Sequence, residues 1–319
     1  MARCQADQVL DLFELLFWAQ GRGIKFFADS DDSSGIVPDP EVLRASALRA
    51  ADRMPLLSVV LHRALGLMAQ GDDVSVRDLS TVIEEDVVIT GSLLSIANSA
   101  LYCGNSRVAS VRPAIVRLGL TKTRNVLLGL TVSKCFASVR APGPWSSIRF
   151  NTHSLAVATL SDLIVQSVPC ENAEWAFMAG LLHDIGLPLI AVGLPEQYRA
   201  IAAQNGSEAE IVEREREILG FTHFDLGAAL LARWNCPAMV QDATRFGDST
   251  EIPSERPLIL GAVVKTASLL ADVNGVAIFN SNEDSDQAVR LLEALGIQAP
   301  LDFISKFEAE YSNVQSCAA

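Results

Sequence analysis

The stretch "SVRDLSTVIEEDVVITGSLLSIANSALYCG", residues 75–104, carries the start and stop signals of two consecutive helices. Ser75, with Asp78 three positions later, has the spacing of a capping box, which predicts that a short helix begins there. Asp86 is a second capping residue and predicts a helix that stops at Gly104. Because little chain separates these helices, the stretch predicts a compact helical bundle.

Start and stop signals of helices also occur on both sides of this stretch. Pro55 suits the first position of a helix that runs to Gly71, Ser110 opens a helix that ends at Gly119, and Thr121 opens a longer one. Further helices are predicted over 146–167, 172–184, 208–219, 222–234, 237–246, 257–272, 284–295 and 300–311. No stretch alternates in the manner of a β-strand, so the predicted fold class is all-α.

Two breaks in the helical pattern predict the domain organisation. The acidic run "ADSDDSSGIVPDP" follows an apolar helical stripe over 7–27, and "RAPGPW" at 140–145 combines prolines with a glycine. The predicted division is an N-terminal helical appendage with its acidic linker (1–50), a main domain (51–275) made of a helical subdomain (51–140) and a second half (146–275), and C-terminal helices (276–319).

The charge balance excludes some classes of function. The chain has 38 acidic and 25 basic residues, a formal net charge of −13. Such a surface repels nucleic-acid phosphates and anionic lipids, so general nucleic-acid binding and membrane-surface binding are not expected. The densest basic group is interpreted as the solvated edge of a helix; it consists of Arg112, Arg117, Lys122 and Arg124.

Cysteine spacing and apolar runs predict a cytoplasmic protein. The six cysteines are widely scattered and form no C-x-x-C pair, as is typical of buried thiols in a reducing compartment. The N-terminus lacks the unbroken apolar core of a signal peptide. The apolar run at 258–271 is interrupted by Lys265 and is too short to span a membrane.

The stretch "LLHDIGLPLI", residues 181–190, places His183 and Asp184 in an otherwise apolar run. His153 and His223 lie on other predicted helices, and a helical bundle can bring all four side chains to one point. Imidazole and carboxylate groups together suit a divalent transition metal such as Fe, Mn or Zn. Spacing alone leaves two interpretations open, a single-ion metal site or a packed polar cluster.

Other polar residues favour structural roles. His62 has no ligand-type neighbour and is interpreted as a hydrogen-bonded structural histidine. The acidic series Glu213, Glu215 and Glu217 is interpreted as a solvated helix face. No phosphate-binding loop, nucleophile elbow or zinc-protease motif occurs in the chain.

Six separated segments resemble the HDOD family, the HD-related output domain of bacterial signalling proteins. They are "MPLLSVVLHRALGLM", "LSTVIEEDVVITGSLLSIANSALYCG", "VASVRPAIVRLGLTKTRNVLLGL", "NTHSLAVATLSDLI", "AFMAGLLHDIGLPLI" and "EREREILGFTHFDLGAALLARWNCP". The resemblance covers roughly 52–250 and extends more weakly to about 275. It implies an all-α HDOD domain over 51–275, in which the 51–140 subdomain packs on an HD-like half.

The wider HD superfamily includes metal-dependent phosphohydrolases. By this resemblance, four residues of the chain match part of the metal-ligand pattern of those enzymes. They are His153, His183, Asp184 and His223. Ser268 stands where those enzymes place a late aspartate, and Leu187 where a lysine follows the HD-x-G motif. Asp248 or Asp272 could substitute for the missing carboxylate. Since a two-metal mechanism needs more ligands than this, the resemblance implies a degenerate metal site.

The functional expectation is a non-enzymatic signalling module that acts through protein–protein interaction. The resemblance implies bacterial regulatory proteins as partners, including cyclic-di-GMP turnover proteins and response regulators. No cofactor is expected beyond at most one divalent metal ion (Fe, Mn or Zn). The alternatives are a single-metal HD-type phosphohydrolase or phosphodiesterase that acts on a nucleotide, and a module that senses a metal or nucleotide without turning it over.

Overall fold

The structure is a computed structural model of the 319-residue chain. It describes residues 39–51, 75–98, 106–137, 145–203, 206–234, 236–249, 257–279 and 285–318, together with residues 60, 63, 64, 67, 102, 139 and 141. The predicted helix over 7–27, its acidic linker, His62 and most of the predicted helix from Pro55 to Gly71 lie outside the described residues.

The described residues fold into helices, which confirms the predicted all-α class. In chain order they are α1 (Pro40–Ala50), α2 (Val76–Ile83), α3 (Val87–Ala97), α4 (Val111–Ala137), α5 (Ser147–Ser167), α6 (Ala176–Leu182), α7 (Gly186–Gly193), α8 (Pro195–Ala202), α9 (Glu208–Leu219), α10 (His223–Arg233), α11 (Ala238–Phe246), α12 (Leu260–Val273), α13 (Ser285–Ala294) and α14 (Pro300–Ala318). Extended pairing among the described residues is limited to one isolated parallel bridge between Cys170 and Leu258.

Local capping explains where several helices begin. The Ser75 hydroxyl accepts a hydrogen bond from the Asp78 backbone at the start of α2, and the Asp86 carboxylate caps α3. Gly119 has a φ of 75°, which breaks α4 into the two predicted helices. One predicted end is wrong, because α3 stops at Ala97, well before the glycine that was taken as its terminator.

The sequence prediction missed α7 and α8. Pro188 occupies the first turn of α7, where its missing N–H needs no helical partner, so this proline does not end a helix. In the described part of the chain, one run, Ala173–Gly193, is long and apolar enough to cross a membrane, and 83% of its apolar 18-residue window is buried inside the structure. This run supplies the central packing of the bundle, where α6 lies against α5 and α7 lies against α1 and α10.

The basic group predicted to be a solvated helix edge is largely used inside the fold. Lys122 forms an ion pair with Asp162 on α5, and the Arg124 guanidinium lies 4.9 Å from the centre of the Trp175 ring. Arg117 donates hydrogen bonds to the backbone carbonyl oxygens of Ala97, the last residue of α3, and of Ser106. The prediction of a solvated helix edge was therefore wrong for these three residues, whose side chains contact the elements packed beside α4.

Candidate metal centre

The four candidate ligands gather around Asp184, between α5, the α6–α7 turn and the start of α10. His153 lies on α5, His183 and Asp184 form the turn between α6 and α7, and His223 is the first residue of α10. None of the four is more than 4% exposed. The bundle therefore buries three imidazoles and a carboxylate in its interior.

Gly186 allows the two loops of the centre to approach each other. A Cβ atom at this position would collide with the backbone carbonyl of His223. Only glycine therefore lets the start of α7 lie directly against the start of α10. This contact brings His223 next to Asp184.

The donor atoms are spaced as ligands around an ion are spaced. His183 Nε2 lies 3.3 Å from His153 Nε2 and 3.2 Å from Asp184 Oδ1. His223 Nε2 lies 3.5 Å from Asp184 Oδ1, and His153 Nε2 lies 3.6 Å from Asp184 Oδ2. Ligand–metal bonds of about 2.0–2.2 Å in a tetrahedron give ligand–ligand edges of roughly 3.3–3.6 Å. The three distances among His153, His183 and Asp184 lie close to that range, whereas His223 approaches Asp184 from outside this donor group.

Backbone carbonyls orient two of the imidazoles. His153 Nδ1 lies 2.6 Å from the carbonyl oxygen of Val276, and His183 Nδ1 lies 2.8 Å from that of Gly180. Because a carbonyl oxygen can only accept, each Nδ1 donates its hydrogen, and in the neutral ring Nε2 keeps a lone pair. The two lone pairs then face each other at 3.3 Å, an arrangement that a proton or a cation between them stabilises.

A buried carboxylate orients the third imidazole. Glu215 is 1% exposed and accepts hydrogen bonds from the backbone N–H of His223 (2.8 Å) and from its Nδ1 (2.7 Å). The interpretation of Glu215 as part of a solvated face was therefore wrong. It lies four residues after Ile211 and four before Leu219, both buried, so its place on the apolar stripe of α9 was a usable signal.

Two polar atoms of the centre are buried without a hydrogen-bond partner in the described part of the chain. They are Asp184 Oδ1 and His223 Nε2. Leaving a polar group buried and unsatisfied costs about 1–3 kcal/mol, so such atoms require an explanation. A cation bound by both atoms would satisfy them, and the donor chemistry of the centre fits one.

Electrostatics keep the carboxylate of the centre ionised. Burial acts to raise the pKa of Asp184, but the facing imidazoles of His183 and His223 hold it well below its usual range. Burial lowers the pKa of His153 to about 4, which keeps that ring neutral and ready to coordinate. Against the effect of burial, Glu215 and Asp184 raise the pKa of His223 to about 10.

Glu208 is a donor that sequence reasoning missed. It is the first residue of α9, and a ligand atom of its side chain lies within 4.8 Å of those of Asp184 and His223. Acidic residues are common in the first turn of a helix, so nothing local in the sequence distinguishes this one. Only the folded structure, which brings the start of α9 to Asp184 and His223, reveals it.

A cavity of about 900 Å³ opens onto the centre. His153, Asp184 and His223 form part of its wall. Among the described residues, its charged lining is mainly acidic, with Asp184, Glu208, Glu210, Glu213, Asp248 and Asp272 against Arg216 and Lys265. The cavity therefore favours cations over anions.

The carboxylates suggested as substitutes for the late aspartate lie elsewhere. Ser268 is 2% exposed and lines the cavity. Asp272, one helical turn later, approaches the Nδ1 side of His153 (3.6 Å) and not the Nε2 side. Burial, followed by repulsion from nearby carboxylates, raises the pKa of Asp272 to about 8. Asp248 pairs with Arg216.

Comparison with known proteins identifies the domain. The family described as "HDOD domain" matches residues 54–249. A protein of Treponema pallidum (strain Nichols), described as uncharacterized, is 26% identical over 227 residues, which cover 68% of this chain and 42% of the relative. The chain thus spans about two fifths of the length of that relative.

Solved structures share the fold. An HDOD domain protein of unknown function from Geobacter sulfurreducens has a TM-score of 0.64 and 20% identity, covering 88% of this chain and 98% of its own. A protein from Shewanella amazonensis SB2B, named as a candidate phosphohydrolase, has a TM-score of 0.64 and 23% identity over 86% of this chain and 98% of its own. At these identities the likeness concerns the fold alone.

Proposed function

This chain belongs to the HDOD family, and from that premise we propose that it is a regulatory module that acts by binding other proteins and carries a divalent metal ion in its HD-like half. The observation that supports the metal most directly is the orientation of three imidazoles through Nδ1, with every Nε2 directed towards Asp184. We propose residues 51–275 as the functional unit, divided as the sequence suggests into a 51–140 subdomain and a 146–275 half.

His153, His183 and Asp184 form the proposed ion-binding group, and His223 Nε2 lies 3.5 Å from Oδ1 of the same carboxylate. The carbonyl-bound imidazoles and the Glu215–His223 pair supply the outer hydrogen bonds that typically fix metal-ligating histidines. Nitrogen and carboxylate donors suit Fe, Mn or Zn. A bound ion would supply Lewis acidity, and it would also hold three helices in register.

The shape and charge of the centre support a non-enzymatic role. The residue in the late aspartate position is Ser268, a neutral side chain that holds a metal poorly. Most charged groups around the cavity are carboxylates, which repel the phosphate of a nucleotide. Binding, in place of hydrolysis, therefore accounts best for this arrangement.

Exposed apolar side chains in the 51–140 subdomain support a role in protein binding. Val87 is 84% exposed, Val88 is 58% exposed and Val116 is 70% exposed. Covering exposed apolar groups with a partner removes them from water and lowers the free energy of the complex. We propose bacterial regulators as partners, including cyclic-di-GMP turnover proteins and response regulators.

A second candidate function is supported by the cavity. Its contact with His153, Asp184 and His223 leaves room for a small molecule beside a bound ion. A single-metal phosphohydrolase or phosphodiesterase that acts on a nucleotide would use this space. In that case the metal would activate a water molecule, and Lys265 would contact the phosphate.

Metal analysis and a turnover assay together test these proposals. The full chain, purified without chelator, is expected to contain a divalent metal that is lost in the double variant His183→Ala/Asp184→Ala. Neither protein should hydrolyse nucleotide phosphodiesters. Metal-dependent turnover in the wild type that disappears in the double variant would instead establish the hydrolase.

Pull-down experiments with candidate regulators test the binding role. Val87→Asp and Val116→Asp should weaken capture of a partner while leaving the metal content unchanged. Exposed Ile148, on the 146–275 half, provides a matched control as Ile148→Asp. Equal capture by all three variants would contradict a binding surface on the 51–140 subdomain.

A further inference from the structure

We propose that a groove at the start of α4 binds an acidic segment of a partner protein, in which carboxylates stand next to branched apolar residues. The proposal rests on the proposed binding role and adds the chemistry of the partner and the place where it docks. This groove, the α4 groove, has a volume of about 510 Å³ and is lined by Val108, Arg112, Pro113, Val116 and Arg117.

Arg112 supplies a positive charge that the fold leaves unused. Its side chain is exposed and has neither an ion pair nor a hydrogen bond among the described residues. Arg107, which directly precedes the lining residue Val108, is exposed and unpaired within the same part of the chain. The chain as a whole has a net charge of −13, so this local positive charge favours an acidic partner over a basic one.

The other side chains of the α4 groove add apolar surface. Val116 is 70% exposed and lies four residues after Arg112, so the two side chains share one face of α4. Pro113 is also exposed, and Val108 is partly buried. A phosphate backbone would satisfy only the arginine. A peptide with apolar residues beside its carboxylates would pair with the arginine and also cover the valines and the proline.

Hydrogen bonds hold the wall of the α4 groove in place. The Asn98 side chain donates to the carbonyl oxygen of Val108 and accepts from its backbone N–H, both at 2.8 Å. The Arg117 guanidinium donates to the carbonyl oxygens of Ser106 (2.6 Å) and Ala97 (3.2 Å). The chain before α4 is thus fixed to the end of α3. A groove that exists before binding loses little conformational freedom when a partner docks.

The start of α5 offers a matched control for exposure and charge. Ile148 is 78% exposed, and the next residue, Arg149, is exposed as well. Both lie outside the α4 groove. Adjacent residues on a helix point about 100° apart, so these two side chains do not share a face as those of Arg112 and Val116 do. Substitutions here change the same residue types without touching the groove.

Fluorescence polarisation of labelled hexapeptides, titrated with the full chain, tests the proposal by charge exchange. The acidic probe is DDEIVL and the basic probe is KKKIVL. The wild type should bind the acidic probe about tenfold more tightly than the basic one. Arg112→Glu should weaken binding of the acidic probe about tenfold and should bind the basic probe more tightly than the wild type does. An unfolded variant could not exchange its preference in this way.

Two further variants separate the apolar contribution from the charge. Val116→Ser removes apolar surface without adding a charge, so it should weaken binding of both probes. Arg149→Glu should leave binding of the acidic probe unchanged. Circular dichroism melting establishes that each variant is folded.

A wild type that binds neither probe, or binds both equally, overturns the proposal. Unchanged binding of the acidic probe by Arg112→Glu, or an equal loss in Arg149→Glu, also overturns it. Binding of a DNA duplex that is lost in Arg112→Glu, without binding of the acidic probe, would assign the α4 groove to nucleic acid and overturn the peptide.

The pull-down of candidate regulators distinguishes this proposal from the proposed function. Capture that persists in Arg112→Glu contradicts the α4 groove as the docking place and leaves the binding role intact. Charge exchange with the hexapeptides but no capture of any regulator supports the groove and contradicts the proposed class of partners.

Discussion

Two aspartates are buried, Asp162 at 7% exposed and Asp184 at 4% exposed, but the groups around them differ. Asp162 lies where α5 meets α4, accepts hydrogen bonds from Tyr102 and Gln166, and pairs with Lys122. Asp184 lies among imidazoles at the α6–α7 turn, and its Oδ1 has no hydrogen-bond partner in the described part of the chain.

The difference separates a structural charge from one reserved for a ligand. Burying a charge is costly unless it is paired and hydrogen-bonded, and the protein itself meets this requirement at Asp162. At Asp184 the protein supplies oriented lone pairs and leaves polar atoms unsatisfied. The first site stabilises the contact between helices, and the second has the features of a cation site.

The largest effect is expected from Asp162→Ala. Removing one partner leaves Lys122, 19% exposed, without its counter-charge, which costs about 3–5 kcal/mol for a buried pair. Urea unfolding measures the loss, and metal binding by the folded variant should keep its wild-type affinity. A loss below about 1 kcal/mol would show that the pair at Asp162 is not structural.

A smaller effect is expected from metal on the wild type. Mn²⁺ at about 100 times its dissociation constant should raise the free energy of unfolding by about 2.7 kcal/mol per site, because the ion binds only the folded chain. Asp184→Ala should lose this increment, and Asp162→Ala should keep it. If Mn²⁺ raised the free energy of unfolding equally in both variants, the proposed difference between Asp162 and Asp184 would be wrong.

The stability of the metal-free protein should depend on pH because of the groups around Asp184. Although burial opposes it, Glu215 and Asp184 raise the pKa of His223 from 6.5 to about 10. A base with a raised pKa stabilises the fold fully below pH 6.5, and this stabilisation is lost as the pH rises through 10. The free energy of unfolding in chelator should therefore fall between pH 6.5 and 10.

Matched variants identify the group responsible for this slope. Glu215→Gln removes the hydrogen-bonded carboxylate and should flatten the decline, while the exposed Glu213→Gln should leave it unchanged. Urea unfolding at a series of pH values measures each slope. Identical slopes in Glu215→Gln and the wild type would contradict the assignment to His223.

The smallest effect is expected at the N-terminal cap of α3. Asp86→Ala removes the acceptor for the backbone N–H groups of Val88 and Ile89, which should cost about 1 kcal/mol. Thermal melting measures the loss, and the metal content should not change. A change in metal binding would mean that α3 and the metal centre are coupled more tightly than these local contacts indicate.

Features encoded locally were predictable from the sequence. The caps at Ser75 and Asp86 gave the starts of α2 and α3, and the predicted 208–219 helix coincides with α9. These starts depend on hydrogen bonds within three residues, which spacing in the sequence expresses directly. The end of α3 at Ala97 was not predictable in this way.

The candidate site was only partly predictable because it depends on tertiary contacts. The residues His153, His183, Asp184 and His223 were singled out from residue type and family resemblance, and the structure brings them together. Glu208 joins the centre only through the fold, and no local pattern marks it, whereas Glu215 was marked by its place on the apolar stripe of α9. The close approach allowed by Gly186 likewise exists only after folding.

Anomalous X-ray scattering at the metal edge, on crystals of the full chain grown with Mn²⁺, tests the central claim most directly. We expect a peak within bonding distance of His153 Nε2, His183 Nε2 and the Asp184 carboxylate. A fully folded centre with no peak, its two facing imidazoles joined only by a proton, would contradict the account.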